Sequence, residues 1–355
     1  MDDASRPRRA FRRDAQANRA LSAAKAAWWT AASAAGKAMI RRAGEAEAPA
    51  PPARVSAAPP PPKGYLRRLW LEAFRKDAAD IAAGLYPLTE RPPANLVQSF
   101  QRAWDLLQDG LQIHERRGRR AGLEVREEAA PDSYPGYYRQ NFHYQTGGWF
   151  TPDSARRYES QVEALFNGAA GAMRRRALSL LARAWRERDQ RALVFADVAC
   201  GSGAFLDDLR ASFPRAQVFG ADLSPTYVAE AQSRTGMPVV QANAERLPFA
   251  DASLDGVTCV YLFHELPPRV RRLVAAEIAR VLKPGGVLAF ADSVQGSDVP
   301  ELARALELFP AFFHEPYYES YQQEDVVALF AGAGLIVKER DQAFLTKALL
   351  LERQS

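Results

Sequence analysis

Two acidic residues and two glycines carry the chemistry that this chain can be read to do. Asp197 closes the apolar run ALVFAD, Gly201 and Gly203 punctuate the turn VACGSG that follows, and Asp222 closes the next apolar run, QVFGADLS, 19 residues beyond Gly203. Glycines in such a turn let the backbone approach a ligand with no Cβ in the way. A carboxylate at the position of Asp222 can accept hydrogen bonds from both hydroxyls of a ribose. A dinucleotide turn would place a third glycine at Leu206, so that the helix could pack close beneath a pyrophosphate, and the leucine there disfavours a nicotinamide oxidoreductase. Asp197 would also sit badly beside a pyrophosphate, whereas it suits a ligand carrying an ammonium group.

These residues need a scaffold, and the surrounding pattern supplies one. ALVFADV reads as a strand and AFLDDLRASF as an amphipathic helix; QVFGAD is a second strand and VAEAQSR the start of a second helix. VVQANAERLPF gives a third strand and its exit loop, LDGVTCVYLFHELP a fourth, and VLKPGGVLAFADS a helix end, a Gly-Gly turn and a fifth strand. Alternating strands and helices imply right-handed crossovers and a doubly wound α/β fold, whose ligands sit outside the carboxyl ends of the strands. A ribose-bearing ligand with an ammonium group at that place points to S-adenosylmethionine.

DVACGSG resembles the first motif of the class I methyltransferases, with Ala199 in place of its first glycine, and GADLS resembles the second. NAERLPFADASLDGVTCVYLFHELP and ARVLKPGGVLAFAD are similar to the ubiquinone and menaquinone methyltransferase-like branch, and the likeness is strong over about Leu193 to Asp292. It implies a Rossmann-like sheet of seven strands, mostly parallel, with GAGLIVKERDQAFLTKALLLER as its closing antiparallel hairpin. Carried over residue by residue, it assigns Asp197, Ala199, Gly201 and Gly203 to the methionine end of the cofactor and Asp222 to the ribose. Leu223, Ala244 and Glu245 would flank the adenine. Asn243 stands where the family has an acidic residue and can still accept through its carbonyl oxygen. Tyr261 and Leu262 would lie near the sulfonium.

Methyl transfer to a phenol, enol or aromatic carbon is helped by a base. His264, just past the fourth strand, is one candidate, with Glu265 to orient it; the competing reading is that His264 only caps the strand end. The segment FHELPP lacks the N/D-P-P-Y/F run of enzymes that methylate nucleobase amino groups, which disfavours that class. The stretch YYRQNFHYQTGGWF, Tyr137 to Phe150, follows neither a helical nor a strand period and reads as an ordered loop. Ahead of the first strand in this fold, such a loop is expected to cover the cofactor. Tyr138, Asn141, Tyr144 and Trp149 become candidate substrate residues, with His143 a second candidate base. FPAFFHEPYYESY, after the fifth strand, adds His314 and Tyr317 to the same expected cavity. Two aromatic walls suggest a large, flat or lipophilic small-molecule acceptor.

Charge and composition bound the remainder. Residues 1–62 hold 11 Lys/Arg against 5 Asp/Glu, and residues 63–355 hold 36 against 37, so the net +5 belongs to the first segment. A neutral folded part argues against a nucleic-acid partner. That first segment, Arg-rich, then alanine-rich, then APAPPARVSAAPPPP, reads as a disordered basic tail and linker, with membrane contact at most peripheral through Trp28 and Trp29. Residues 63–190 read as a helical N-terminal region with the aromatic lid, including helices over YLRRLWLEAFRKDAADIAAGLYP and ANLVQSFQRAWDLLQDGLQIHERR; residues 191–355 read as the cofactor-binding domain. Two cysteines in apolar runs suggest a reducing, cytoplasmic setting, and four scattered histidines argue against a metal site. A second function class stays open: a catalytically silent binding module that keeps the fold and acts through protein partners.

Overall fold

The computed structural model describes residues 5–42, 58–89, 115–119, 121–128, 131 and 133–355. Ahead of the sheet come α1 (Ser5–Arg42), α2 (Tyr65–Ala82), α3 (Pro152–Leu165) and α4 (Ala170–Ala184). The sheet domain then runs β1 (Val194–Val198), α5 (Ala204–Ser212), β2 (Gln217–Asp222), α6 (Pro225–Thr235), β3 (Val239–Gln241), β4 (Leu254–Val260), α7 (Pro268–Val281) and β5 (Leu282–Ser293). Helices α8 (Ala303–Phe312), α9 (Tyr318–Gln322) and α10 (Val326–Gly332) precede the hairpin β6 (Leu335–Ala343) and β7 (Thr346–Arg353).

The seven strands are ordered β3-β2-β1-β4-β5-β7-β6. Strands β1 to β5 are parallel, and β7 pairs antiparallel with both β5 and β6, so the doubly wound, mostly parallel sheet is present with its closing hairpin. Successive strand residues face opposite sides. Phe195 accordingly packs under α4 and α5 with Trp185, Leu206 and Leu209, while Ala196 and Val198 face the other core with Val274 and Ile278 of α7. The order reverses between β1 and β4, and the crevice at that switch is where a ligand fits.

Local sequence sets the element ends. Thr151 caps α3, its hydroxyl accepting from the Ser154 N–H, with Pro152 in the first turn. Ser224 caps α6 in the same way before Pro225, and Gly236 ends that helix at φ +66°. The Pro284-Gly285-Gly286 run is not a separate turn before the fifth strand. It bulges within β5: Leu254 pairs with Leu282, but Gly256 already pairs with Val287.

The reading of residues 1–62 as a disordered tail is corrected over Ser5–Arg42, which is helical and docked. Ala15, Asn18 and Ser22 are buried on one side of α1. The Asn18 amide donates to Asp77 Oδ2 on α2 at 2.8 Å, and Lys25 pairs with Glu163 of α3 at 3.1 Å. Asp77 has no exposed side-chain surface; Arg175 donates to it twice, at 2.7 and 2.8 Å, and the Tyr86 hydroxyl once, at 3.0 Å. Burial alone would raise this carboxyl, but Arg175 outweighs it and holds Asp77 below the ordinary carboxylate range. A buried carboxylate needs donors, and α1 supplies one of them. The expected helix over ANLVQSFQRAWDLLQDGLQIHERR lies almost wholly outside the described residues, as do residues 43–57 of the linker.

Candidate active site

A cavity of about 770 Å³, counting its open mouth, lies off the carboxyl ends of β1, β2 and β4. Its floor is made by Ala199 and Gly201 after β1, Asp222 and Leu223 after β2, Asn243 and Ala244 after β3, and Tyr261 and Glu265 after β4. Its roof is the aromatic loop together with two tyrosines from helices: Tyr137, Tyr138 and Trp149 with Tyr158 of α3 and Tyr227 of α6.

Backbone geometry shapes the floor. Gly201 and Gly203 have φ of +56° and +82°, and Ala199 takes φ +59° although it carries a side chain. A Cβ on Gly203 would stand 3.0 Å from both Ala231 and Thr235, so this glycine lets α5 pack closely on α6. A Cβ on Gly201 would meet only Tyr158, at 3.8 Å, which leaves its cavity side open. The Asp222 carboxylate accepts from the Gly201 N–H and the Ser224 N–H, both at 2.9 Å, and burial pushes it above the ordinary carboxylate range. Asp197 lies just beneath the floor and is absent from the cavity lining. Its Oδ1 accepts from the Thr258 hydroxyl at 2.6 Å, and burial raises it to about 7.

Near the third strand, Asn243 Oδ1 accepts from the Glu245 N–H at 2.9 Å, and its amide donates to Glu245 Oε1 at 3.2 Å. The carbonyl oxygen expected to face a ligand is thus already engaged within the loop, with one lone pair left. Glu245 itself accepts from the Tyr137 hydroxyl at 2.6 Å and fastens the roof to the floor. Two more roof ties exist: the Ser224 hydroxyl donates to the Trp149 carbonyl, and the Gln241 amide donates to the Tyr134 hydroxyl at 2.9 Å.

The two histidine candidates part company. His264 turns away from the cavity; its Nδ1 is 2.6 Å from Asp292 Oδ1, while Asp292 Oδ2 accepts from the Phe263 N–H at 2.8 Å. Burial would lower this ring, but the Asp292 carboxylate outweighs burial and holds it at about 10. His264 thus pins the exit of β4 to β5, the geometry that the strand-end reading describes. His143 does not itself line the cavity; its Nε2 stands 3.9 Å from Oε1 of Glu265, which does, and its Nδ1 2.8 Å from Glu315 Oε1. Burial would lower it as well, and Glu315 outweighs burial to raise it above the ordinary value.

Of the remaining candidates, Tyr138 and Trp149 line the cavity. Asn141 does not: fully buried, it accepts from the Val125 N–H and donates to the Gln145 carbonyl, both at 2.9 Å, and so braces the loop from within. Tyr144 packs against His314, ring centroids 5.6 Å apart, and neither borders the cavity. The Gln140 amide joins His314 Nε2 at 2.9 Å to the Tyr317 hydroxyl at 3.1 Å, so that pair clamps the loop to the segment after α8. Sequence reasoning missed Tyr158 and Tyr227 as wall residues. Tyr227 could have been found five positions beyond Asp222, in the first turn of the helix that follows it; Tyr158 had no signal beyond its helix.

Residues 196–290 match the family model described as "Methyltransferase domain". The chain is similar to the ubiquinone/menaquinone biosynthesis C-methyltransferase UbiE of Desulfotalea psychrophila, 31% identical over 160 residues, covering 39% of this chain and 64% of that one. It is also similar to the fatty-acid O-methyltransferase of Mycolicibacterium smegmatis, at 36% over 31% of this chain and 40% of that one. The O-methyltransferase cnsE of Penicillium expansum is 40% identical over 32% of this chain and 44% of its own. The chain thus spans between two fifths and just under two thirds of these relatives. Over residues 196–290 the chain thus carries a methyltransferase domain, and the sheet order with the Gly201 and Asp222 turns is in keeping with its similarity to the ubiquinone and menaquinone methyltransferase-like branch.

Proposed function

We propose that the protein is an S-adenosylmethionine-dependent methyltransferase acting on carbon or oxygen of a small aromatic, quinone-like or lipid-like acceptor. The observation that carries this reading is the convergence of the Gly201 turn and the carboxylates of Asp222 and Asp197 at one end of an aromatic-roofed cavity. The residues present fit the cofactor. The open side of Gly201 admits a ligand against the backbone, the Asp222 carboxylate is free to take ribose hydroxyls in addition to its two N–H donors, and Leu223 and Ala244 offer apolar walls to an adenine. Asp197, buried with one hydrogen bond and raised by burial, is a carboxyl that a nearby cation would return to its ionised form.

The cofactor supplies a methyl carbon activated by a sulfonium. The chain has to align an acceptor with it and keep water out. Tyr138, Trp149, Tyr158 and Tyr227 provide the flat apolar walls that suit an aromatic or lipophilic acceptor. The names of the relatives, which include a quinone-pathway C-methyltransferase and a fatty-acid O-methyltransferase, support the acceptor class. We place the cofactor domain at residues 191–355, with 63–190 as the helical region carrying the roof. No helix among the described residues is long and apolar enough to cross a membrane, and we assign the protein to the cytoplasm on its buried free cysteines.

Isothermal titration with S-adenosylmethionine and S-adenosylhomocysteine tests the reading. Both bind the intact protein, and Asp222→Ala abolishes binding; a wild-type protein that takes up neither refutes the function.

A further inference from the structure

Beside the cavity, elements far apart in sequence gather two histidines and three carboxylates that the binding of a cofactor does not use. Glu265 lines the cavity at the exit of β4. His143 reaches it from the roof loop, and Glu315, from the segment between α8 and α9, holds the far side of the His143 ring at 2.8 Å. Two costs converge on this contact. The Glu315 side chain has no exposed surface and neither oxygen receives a well-aligned hydrogen bond, so the His143 ring is its charge partner. His143 and the next residue, Tyr144, have φ of +55° and +56°, a left-handed conformation that side-chain-bearing residues seldom adopt. Strain and an unsatisfied buried acid at one side chain are what a site tolerates for function.

On the reading of a methyltransferase given above, we propose that Glu265 takes the proton from the methyl acceptor, with His143 and Glu315 as positioning residues that hold its charge in place, and that the acceptor is a phenol or enol. In that step the acceptor O–H bond breaks, its electron pair stays on the acceptor oxygen, and the proton bonds to a Glu265 carboxylate oxygen. The negative charge passes from Glu265 to the acceptor beside the His143 ring. His143, with a quarter of its side chain exposed, gives the proton a way back to water. A carboxylic acid, already an anion, would meet the Glu265 carboxylate head on.

The groups facing Glu265 set the pH dependence. They are His143 and Tyr138 from the roof loop, Tyr158 of α3, Tyr227 of α6, His264 after β4, Asp292 of β5 and Glu315. Burial pushes Glu265 up to about 8 despite the neighbouring His264 and His143 rings, with Glu315 adding to the rise. The proton-accepting form therefore gains as pH rises through about 8.

The full chain with S-adenosylmethionine is offered 2-naphthol or hexadecanoic acid. Methylation of 2-naphthol is expected to rise with pH through about 8 and to fall by about 10² to 10⁴ in Glu265→Gln, with Glu265→Asp recovering part of it, while calorimetry shows S-adenosylhomocysteine still bound. Nitrogen-15 histidine spectra of the protein alone give a second readout. The His143 ring signals should follow the ionisation of Glu265, lose that step in Glu265→Gln, and titrate at lower pH in Glu315→Gln. Full turnover in Glu265→Gln, hexadecanoate methylated in preference to 2-naphthol, or His143 signals indifferent to both substitutions overturns the proposal and leaves the methyltransferase reading standing. The spectra decide the matter where the probe phenol is not turned over, and absent cofactor binding by the wild type overturns both.

Discussion

Replacing Asp197 by Asn should make the unliganded protein more stable and the liganded one unreachable. Burial raises the Asp197 carboxyl from 3.8 to about 7, a shift of roughly 3 pK units, and each unit is worth about 1.4 kcal/mol. Because the folded value is raised, the group's contribution to stability is fully present below about pH 4 and is lost as pH rises to 7. By pH 8 the wild type has forgone about 4 kcal/mol that an uncharged residue would not forgo. Asn keeps the local hydrogen bond, since its carbonyl oxygen can accept from the Thr258 hydroxyl as Asp197 Oδ1 does. Urea unfolding of both unliganded proteins between pH 4 and 8 measures the difference. The stability gap should be near zero at pH 4, widen to pH 7 and then level off, and the variant should lose S-adenosylhomocysteine binding in calorimetry. A gap that does not change with pH, or a variant less stable at pH 8, refutes the reasoning that a buried carboxyl is being kept for a cation.

Two further substitutions probe the scaffold. Asn18→Ala removes the α1 donor to the buried Asp77, a hydrogen bond to a charged group, and should cost about 1.5 to 3 kcal/mol in chemical denaturation; an unchanged midpoint would mean that α1 does not dock in solution. Gly203→Ala forces a side chain into φ +82° and against Ala231 and Thr235 at 3.0 Å, and should lower stability by about 1 to 3 kcal/mol together with cofactor affinity, read by denaturation and calorimetry on the same sample.

The parts of the molecule legible in the sequence are those that local physics writes locally. Each strand of the parallel sheet is a short apolar run, and the Gly201 and Gly203 turn shows because φ near +60° and close helix packing both select glycine. Ala199 hid there, adopting a glycine conformation with an ordinary residue. What the sequence concealed depends on partners distant along the chain. The docked side of α1 is made of Ala15, Asn18 and Ser22, too small and polar to register as an apolar stripe, and its acceptor Asp77 lies 59 residues away. The contact of His143 with Glu315 and the closing of the cavity by Tyr158 and Tyr227 join separate elements in the same way. His264 was visible, but the carboxylate that engages its ring, Asp292, lies 28 residues on.

Among the side-chain hydrogen bonds that hold down the roof over the cavity are those from Tyr137 to Glu245, from Gln241 to Tyr134 and from Ser224 to the Trp149 carbonyl. At about 1 kcal/mol net for each, these three alone set a cost of at least about 3 kcal/mol on lifting it, so the open form makes up less than about one part in 10² of the population. Passage of any ligand too large for the open mouth is then paced by the chain's own opening and not by collision. For such a ligand a slow, saturating on-rate that ignores further increases in concentration is the kinetic signature of the gate.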